Sequence, residues 1–430
     1  MSEPEAIEIS PCGPVDANIR PPGSKSLTNR ALVCAALADG KSILEGALDC
    51  EDTRVMLDAL RDLGFRPKQE GGGKIVVPGC GGKVPGNGAE LYVANSGTTL
   101  RFLAAVVTLG HGTFRLDGTP RMRERPVADL LHALASLGAD VLDELGTGCP
   151  PVLVHARGLP GGRAVVAGDI SSQFLSALLM TAPCAQGPVE LDVEGELVSK
   201  PYVDMTLSVM KAFGVEARRE GYDRFLFDGA QQYAGCTYAI EPDASAASYF
   251  FAAAAISGGR VTVEGLTPQS LQGDVAFCKC LAQMGCDVAY GERSITVRGG
   301  HLRGVEVDMN AISDTVQTLA VVALFAEGPT TITRVGHIRH KETDRIAALA
   351  GELRKLGAGV EERFDGLTIR PGALRGAELD TYDDHRMAMS LALAGLRIPG
   401  IVIRDPECTA KTYPDFFDDL GRVTGRNQRG

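Results

Sequence analysis

Residues 24–40, SKSLTNRALVCAALADG, read as a helix that is apolar nearly all round once past its polar start. A helix without a solvent face must be buried on several sides. Five more stretches share the pattern: NSGTTLRFLAAVVTLGHG (95–112), SSQFLSALLMTAPCAQG (171–187), SAASYFFAAAAISGG (245–259), SDTVQTLAVVALFAEG (313–328) and HRMAMSLALAGLRIPG (385–400). Each opens with polar residues in place of an ordinary cap, and a short strand-like run follows each: SILEGAL, TFRLDG, VELDVEG, RVTVEG, TITRV and IVIRD. An amphipathic helix then ends in a bulky apolar residue plus Gly, at Gly64, Gly138, Gly214, Gly285, Gly357 and Gly421. Those glycines are 74, 76, 71, 72 and 64 residues apart. Solenoid units usually repeat every 20–50 residues or so, so this longer period predicts small closed α/β modules.

Leu57, Leu60 and Leu63 in one copy, and Leu353 and Leu356 in another, form the i, i+3 stripe that packs on a sheet. The closing Gly suits a left-handed helix end, and two strands, such as KIVVPG and ELYVAN, lead into the next copy. Six copies predict two domains of three repeats: residues 22–238, and residues 1–21 plus 239–430. The opening strand, roughly residues 6–20, has no copy before it and is expected to pair in the C-terminal half.

A net charge of −11 without a basic run argues against nucleic acid as a partner. The eleven cysteines lie mostly in apolar stretches (Cys34, Cys184, Cys278, Cys280) and form no CxxC pair, as for reduced thiols in a reducing compartment. MSEPEAIEIS lacks the apolar segment of a signal peptide, and the longest apolar runs are too short to span a bilayer. The expectation is a soluble, cytoplasmic monomer with no membrane partner.

Helix N-termini carry unpaired N–H groups and about half a positive charge, which suits anions. PPGSKSLTNR lacks the glycines of a nucleotide phosphate loop; it leaves Lys25, Ser26 and Arg30 at a helix start, as a capping segment or an anion site. Asn95, Gly97 and Thr98 in NSGTTLR, and Ser171, Ser172 and Gln173 in GDISSQ, carry the same pair of readings. TPRMRERPV supplies Arg121, Arg123 and Arg125, and GHIRHKETDR supplies His337, Arg339, His340, Lys341, Glu342, Asp344 and Arg345. YDDHRMAM sets Asp384, His385 and Arg386 at the edge of a buried helix, and CTAKTYPDFF adds Lys411. Because these motifs occupy equivalent ends of the repeat, they predict one site for a multiply anionic small molecule. No metal-ligand spacing and no GxSxG motif occurs.

Taken together, PGSKSLTNRALVCAALADG, NSGTTLRFL, RMRERPV, GDISSQFLSALLMTAP, LVSKPYVDMT, ISDTVQTLAVVALFAEG, HKETDRIAAL, YDDHRMAMSLALAG and PECTAKTYPDFF resemble the EPSP synthase family, from about residue 20 to residue 420. The resemblance implies two domains, each of three βαβαββ units in an inside-out α/β barrel, that close on their ligands. It implies transfer of the enolpyruvyl group of phosphoenolpyruvate to the 5-hydroxyl of shikimate 3-phosphate, with release of phosphate and with neither a metal nor an organic cofactor.

Matching positions imply Ser171, Ser172 and Ser199 around the shikimate phosphate. Ser26 and Arg30 hold the ring or its carboxylate, with Gln173, Tyr202, Asp314, His337, Lys341 and Lys25 on the same ligand. Phosphoenolpyruvate is implied to meet Lys25, Asn95, Gly97, Arg125, Gln173, Arg345, Arg386 and Lys411. The catalytic candidates are Asp314 as base, Glu342 as acid, Lys25 and Lys411 stabilising developing charge, and His385. His337 stands where many members have Asn, and Phe102 where Pro is frequent. Glyphosate, a phosphonate longer than phosphoenolpyruvate, is expected to compete for the space beside Gly97. The rival readings are an enolpyruvyl transferase for UDP-N-acetylglucosamine, an RNA 3′-phosphate cyclase-like protein and an inactive anion-binding module.

Overall fold

The computed structural model describes residues 6–229 and 231–426, so the first five residues of the acidic N-terminal stretch lie outside the described range. Twelve α-helices alternate in kind along it. In the first three repeats they are α1 (Lys25–Leu37), α2 (Glu51–Asp62), α3 (Gly97–Val106), α4 (Ala128–Ser136), α5 (Ser172–Thr181) and α6 (Lys200–Ala212). In the last three they are α7 (Ala244–Ser257), α8 (Phe277–Gln283), α9 (Val316–Ala323), α10 (Arg345–Lys355), α11 (His385–Ala392) and α12 (Phe416–Thr424). The odd-numbered helices are the ones read as apolar all round. Every residue of α3, α9 and α11 is buried, as is nearly all of α7. The even-numbered helices bury one stripe; Leu57, Leu60, Leu63, Leu353 and Leu356 are all fully buried.

The sheet topology explains why the buried helices sit where they do. The strands entering and leaving such a helix run side by side and parallel: Gly88–Tyr92 with His111–Asp117 around α3, and Gly162–Ala167 with Val189–Glu194 around α5. Glu306–Asp308 pairs with Thr330–Thr333, and Ala377–Leu379 with Ile401–Arg404, in the same way. Parallel neighbours need such a crossover. Strands after the even-numbered helix add on antiparallel, as Val152–Arg157 does to His111–Asp117. The result is five four-stranded sheets and one three-stranded sheet among the described residues, each open and none closed into a barrel.

The chain divides into two compact units, Gly23–Ile240, and Met1–Pro22 with Glu241–Gly430. In the first unit, Thr237–Ala239 returns to pair with Lys41–Glu45, so the last strand completes the first repeat. In the second, the opening segment forms two short strands where one was expected. Ala6–Ile9 runs antiparallel to Ile401–Arg404, and Asp16–Ile19 runs parallel to Arg260–Glu264. Gly13 and Pro14 lie between these two strands. Gly395 permits the first contact, because a Cβ there would collide with the Ile9 side chain.

Five of the repeat-ending glycines, Gly64, Gly138, Gly214, Gly285 and Gly357, adopt positive φ as expected. Gly421 does not: it lies inside α12, which runs on to Thr424 and ends at Gly425 in the left-handed conformation. All eleven cysteines are free thiols, six of them buried. Among the described residues no helix is long and apolar enough to cross a membrane.

Candidate active site

The expectation of uncapped polar helix starts is corrected at five of six buried helices. Ser24, Ser96, Ser171, Asp243 and Asp384 each accept a hydrogen bond from a backbone N–H of the first turn. A cap satisfies one of the four N–H groups a helix end leaves open, so the dipole and the remaining donors persist. The exception is α9, which follows a kinked turn, Asn310–Thr315, and has no side-chain cap bond from Thr315. That turn presents Asp314.

In the Gly23–Ile240 unit, the cations at the helix starts hold mostly neutral partners. Arg30 is buried, with Nε donating to Thr206 Oγ1 at 2.8 Å, Nη1 to the Ser26 carbonyl at 3.0 Å and Nη2 to Ser176 Oγ and the Tyr202 carbonyl at 3.4 Å each. Its guanidinium lies between the Phe102 and Tyr202 rings, 5.3 and 5.9 Å from their centroids. Burial lowers its pKa to about 10, against small opposing contributions from Tyr202 and nearby thiols. Arg125 Nη1 donates to the Asn95 carbonyl at 3.0 Å and its side-chain oxygen at 3.2 Å. Arg101 Nη1 donates to Gln173 Oε1 at 2.8 Å, and Gln173 Nε2 donates to Thr98 Oγ1 at 3.3 Å. A methyl at Gly97 would fall on the guanidinium ends of both Arg125 and Arg101. Lys25 has a carboxylate partner, Asp52 at 3.5 Å. Ser199 starts α6 with φ 54°, a left-handed conformation that a non-glycine residue adopts only under constraint.

In the unit built on Glu241–Gly430, cations and carboxylates interlock. Asp314 Oδ1 meets Lys341 Nζ at 2.5 Å and Arg345 Nη1 at 3.4 Å, and its Oδ2 meets Arg386 Nη2 at 2.7 Å. Arg345 also reaches Glu342 at 2.9 Å and forks onto Asp384 at 2.8 and 3.1 Å. Burial alone would raise the Asp314 carboxyl, but Arg386, Lys341 and Arg345 hold it well below the usual range, so it stays ionised. Burial lowers Lys341, only partly offset by Asp314. Burial and then Lys341 push His337 down to about 3, so the imidazole is neutral at physiological pH. Burial raises Tyr249, whose hydroxyl is 3.5 Å from Arg386, to about 12. Lys411 ends the buried 3₁₀ stretch Pro406–Lys411. Three left-handed residues, Tyr382, Asp383 and Asp405, shape the approach to α11 and to that stretch.

The structure therefore groups Lys25, Ser26, Arg30, Asn95, Gly97, Arg125, Ser171, Ser172, Gln173, Ser199 and Tyr202 in one unit, at or beside helix starts. It groups Asp314, His337, Lys341, Glu342, Arg345, His385, Arg386 and Lys411 in the other. His385 is the buried first residue of α11, with its Nδ1 3.8 Å from Asp384 Oδ1. Of the three arginines in TPRMRERPV only Arg125 is buried; Arg121 pairs with Glu124 and Arg123 with Asp117. Sequence reasoning passed over Arg101, although a charge one turn after Gly97 in an otherwise apolar helix was a usable signal. It also passed over Asp52 and Tyr249, whose roles depend on packing between elements.

Comparison with known proteins gives a consistent picture. The family model for EPSP synthase (3-phosphoshikimate 1-carboxyvinyltransferase) matches residues 9–420. A 3-phosphoshikimate 1-carboxyvinyltransferase of Nostoc punctiforme is 52% identical over 419 residues, covering 96% of this chain and 98% of that protein. A chloroplastic enzyme of the same name from Brassica napus is 49% identical over 439 residues, covering 97% of this chain and 85% of that protein. Among solved structures, the EPSP synthase of Acinetobacter baumannii superposes with a TM-score of 0.82 at 26% identity, covering 98% of each chain.

Proposed function

The chain belongs to the EPSP synthase family, and on that premise we propose that it transfers the enolpyruvyl group of phosphoenolpyruvate to the 5-hydroxyl of shikimate 3-phosphate, releasing inorganic phosphate. Family membership makes it a transferase of aromatic amino acid biosynthesis. The observation that carries the assignment of chemistry is the Asp314 carboxylate, half-buried and held by Lys341, Arg345 and Arg386.

The reaction needs a proton taken from the 5-hydroxyl while its oxygen bonds to C2 of phosphoenolpyruvate, and a proton delivered to C3. The adduct then loses the C3 proton as the C2–O bond to phosphate breaks. Asp314 is the base and Glu342 the group that exchanges the C3 proton. Three cations weaken Asp314 as a base, and Arg345 pairs with Glu342 at 2.9 Å. Phosphoenolpyruvate removes both obstacles: its anionic groups compete for Arg345 and Arg386, and each carboxylate gains proton affinity as its cation turns to the substrate. Lys341 then hands Asp314 a single mobile partner. Asp384 keeps Arg345 aligned through its fork, and His385 supports Asp384 from beneath.

The other unit supplies the fixed holders. Ser171, Ser172 and Ser199 take the shikimate phosphate, Ser26, Arg30, Gln173 and Tyr202 its ring, and Lys25, Asn95, Gly97 and Arg125 phosphoenolpyruvate. Arg101 belongs with this group, since it holds the Gln173 amide beside Gly97. Phosphate release with both substrates present, and none with either alone, tests the reading. Release from phosphoenolpyruvate with UDP-N-acetylglucosamine instead would overturn it.

A further inference from the structure

Arg339 belongs to the GHIRHKETDR motif, and the reaction just described does not use it. It is the next-to-last residue of the Gly336–His340 turn, and its side chain is 16% exposed. Each of its N–H groups has an acceptor. Nε donates to the Phe364 carbonyl at 2.9 Å, and Nη1 donates to both Asp344 oxygens at 2.9 and 2.8 Å. Nη2 donates to Glu362 Oε1 at 2.9 Å and the Arg363 carbonyl at 2.8 Å. Asp344 in turn caps α10 by accepting from Ala347 N at 3.0 Å. Glu362 and Arg363 end the strand Gly359–Arg363, whose antiparallel partner Gly366–Arg370 is central in its sheet. A second bond, Val335 N to the Asp365 carbonyl at 2.8 Å, fastens the turn to the same hairpin.

We propose that Arg339 is a positioning residue, clamping both ends of the span that carries Lys341 and Glu342 to the sheet and to α10. The inference rests on the proton-transfer roles assigned above. Between Arg339 and Asp344 the chain is neither α-helix nor strand, and Lys341 itself has extended backbone. Ordering such a segment costs about 1–2 kcal/mol per residue in backbone entropy. The planar five-donor fork of arginine replaces that missing order, and a lysine offers a point charge in its place. Loosening the clamp lets Lys341 drift from Asp314. The groups facing Asp314 are Lys341 from this span, His337 from the preceding turn, Arg345 of α10 and Arg386 of α11.

The test uses Arg339→Lys and Asp344→Asn in the full chain, with kcat measured against pH and the thermal midpoint as fold control. Asparagine caps a helix about as well as aspartate, so Asp344→Asn weakens the clamp, leaving Arg339 Nη1 one neutral acceptor in place of two charged ones, while keeping the start of α10. A misplacement near 1 Å costs about 100-fold, and Arg339→Lys is expected to lower kcat by about 10- to 100-fold, with Asp344→Asn smaller in the same direction. With less positive charge at hand the Asp314 carboxyl rises toward its ordinary value, so the acidic limb of kcat moves to higher pH. The double variant should fall short of the product of the single losses, because both break one clamp. Wild-type kcat and an unmoved acidic limb in Arg339→Lys would overturn the proposal, as would losses that vanish when rates are expressed per folded molecule. An unaltered protein that releases no phosphate from the two substrates would sink the functional reading and this inference with it.

Discussion

The helix starts of the two units solve opposite electrostatic problems with the same repeat. In Gly23–Ile240, Arg30, Arg101 and Arg125 are held by hydroxyls, carbonyls and amides, which orient a guanidinium without cancelling its charge. In the other unit, Lys341, Arg345 and Arg386 are held by Asp314, Glu342 and Asp384. Neutral holders keep a positive field fixed, which suits an anion that must stay still. Carboxylate holders make a network whose members exchange partners, which suits moving protons. On the proposed function, one scaffold carries a binding face and a chemical face, and the difference lies in which side chain stands opposite each cation.

The harshest challenge to that division is Asp314→Asn. An amide keeps the shape but neither takes a proton nor balances three cations, so kcat should fall by about 10²–10⁴-fold while shikimate 3-phosphate still binds, as calorimetry would report. Turnover close to normal would remove Asp314 from the chemistry. Gly97→Ala probes the binding face. The added methyl displaces the Arg125 and Arg101 ends, so KM for phosphoenolpyruvate should rise with kcat less affected. Glyphosate, being longer, should lose more affinity than the substrate, by about 1–3 kcal/mol. Equal inhibition of both proteins in assays with varied phosphoenolpyruvate would contradict this.

The smallest expected effect concerns His337, with a folded pKa near 3 against an ordinary value near 6.5. The unfolded chain binds the extra proton first, so this group's contribution to stability is complete above pH 6.5 and fades as pH falls toward 3. His337→Asn should therefore gain stability relative to the unaltered protein below about pH 6, by a roughly 1–2 kcal/mol difference at pH 5. It should leave the neutral-pH rate profile unchanged. Urea unfolding between pH 4 and 8 decides this, and a gap that does not change with pH would refute it.

The repeat was legible because burial on all sides writes itself into composition: a helix such as MAMSLALAG has no other place to go. The strands after each buried helix were legible for the same reason. Gly421 misled, because the Leu420-Gly421 pair looks like its predecessors although the helix runs on through it to end at Gly425. Helix caps were misread because Ser24, Ser96 and Ser171 stand beside richer polar residues, and a cap hydrogen bond leaves no separate trace. Motif resemblance named most candidate residues, but not who holds whom. That Arg345 forks onto Asp384 and that Arg101 grips Gln173 depends on contacts 39 and 72 residues apart, which no local pattern encodes.

The division between the two faces is tested most directly by running the reaction in deuterated water and reading deuterium at the methylene of the enolpyruvyl product by mass spectrometry. A methyl intermediate that gains a solvent proton and loses one again must leave deuterium behind. The unaltered protein should incorporate it. Ser171→Ala, on the binding face, should incorporate it per turnover at the same level with a higher KM for shikimate 3-phosphate. Glu342→Gln should bind both substrates and show neither incorporation nor phosphate release. Incorporation by Glu342→Gln at the level of the unaltered protein would contradict the assignment of proton transfer to the carboxylate network.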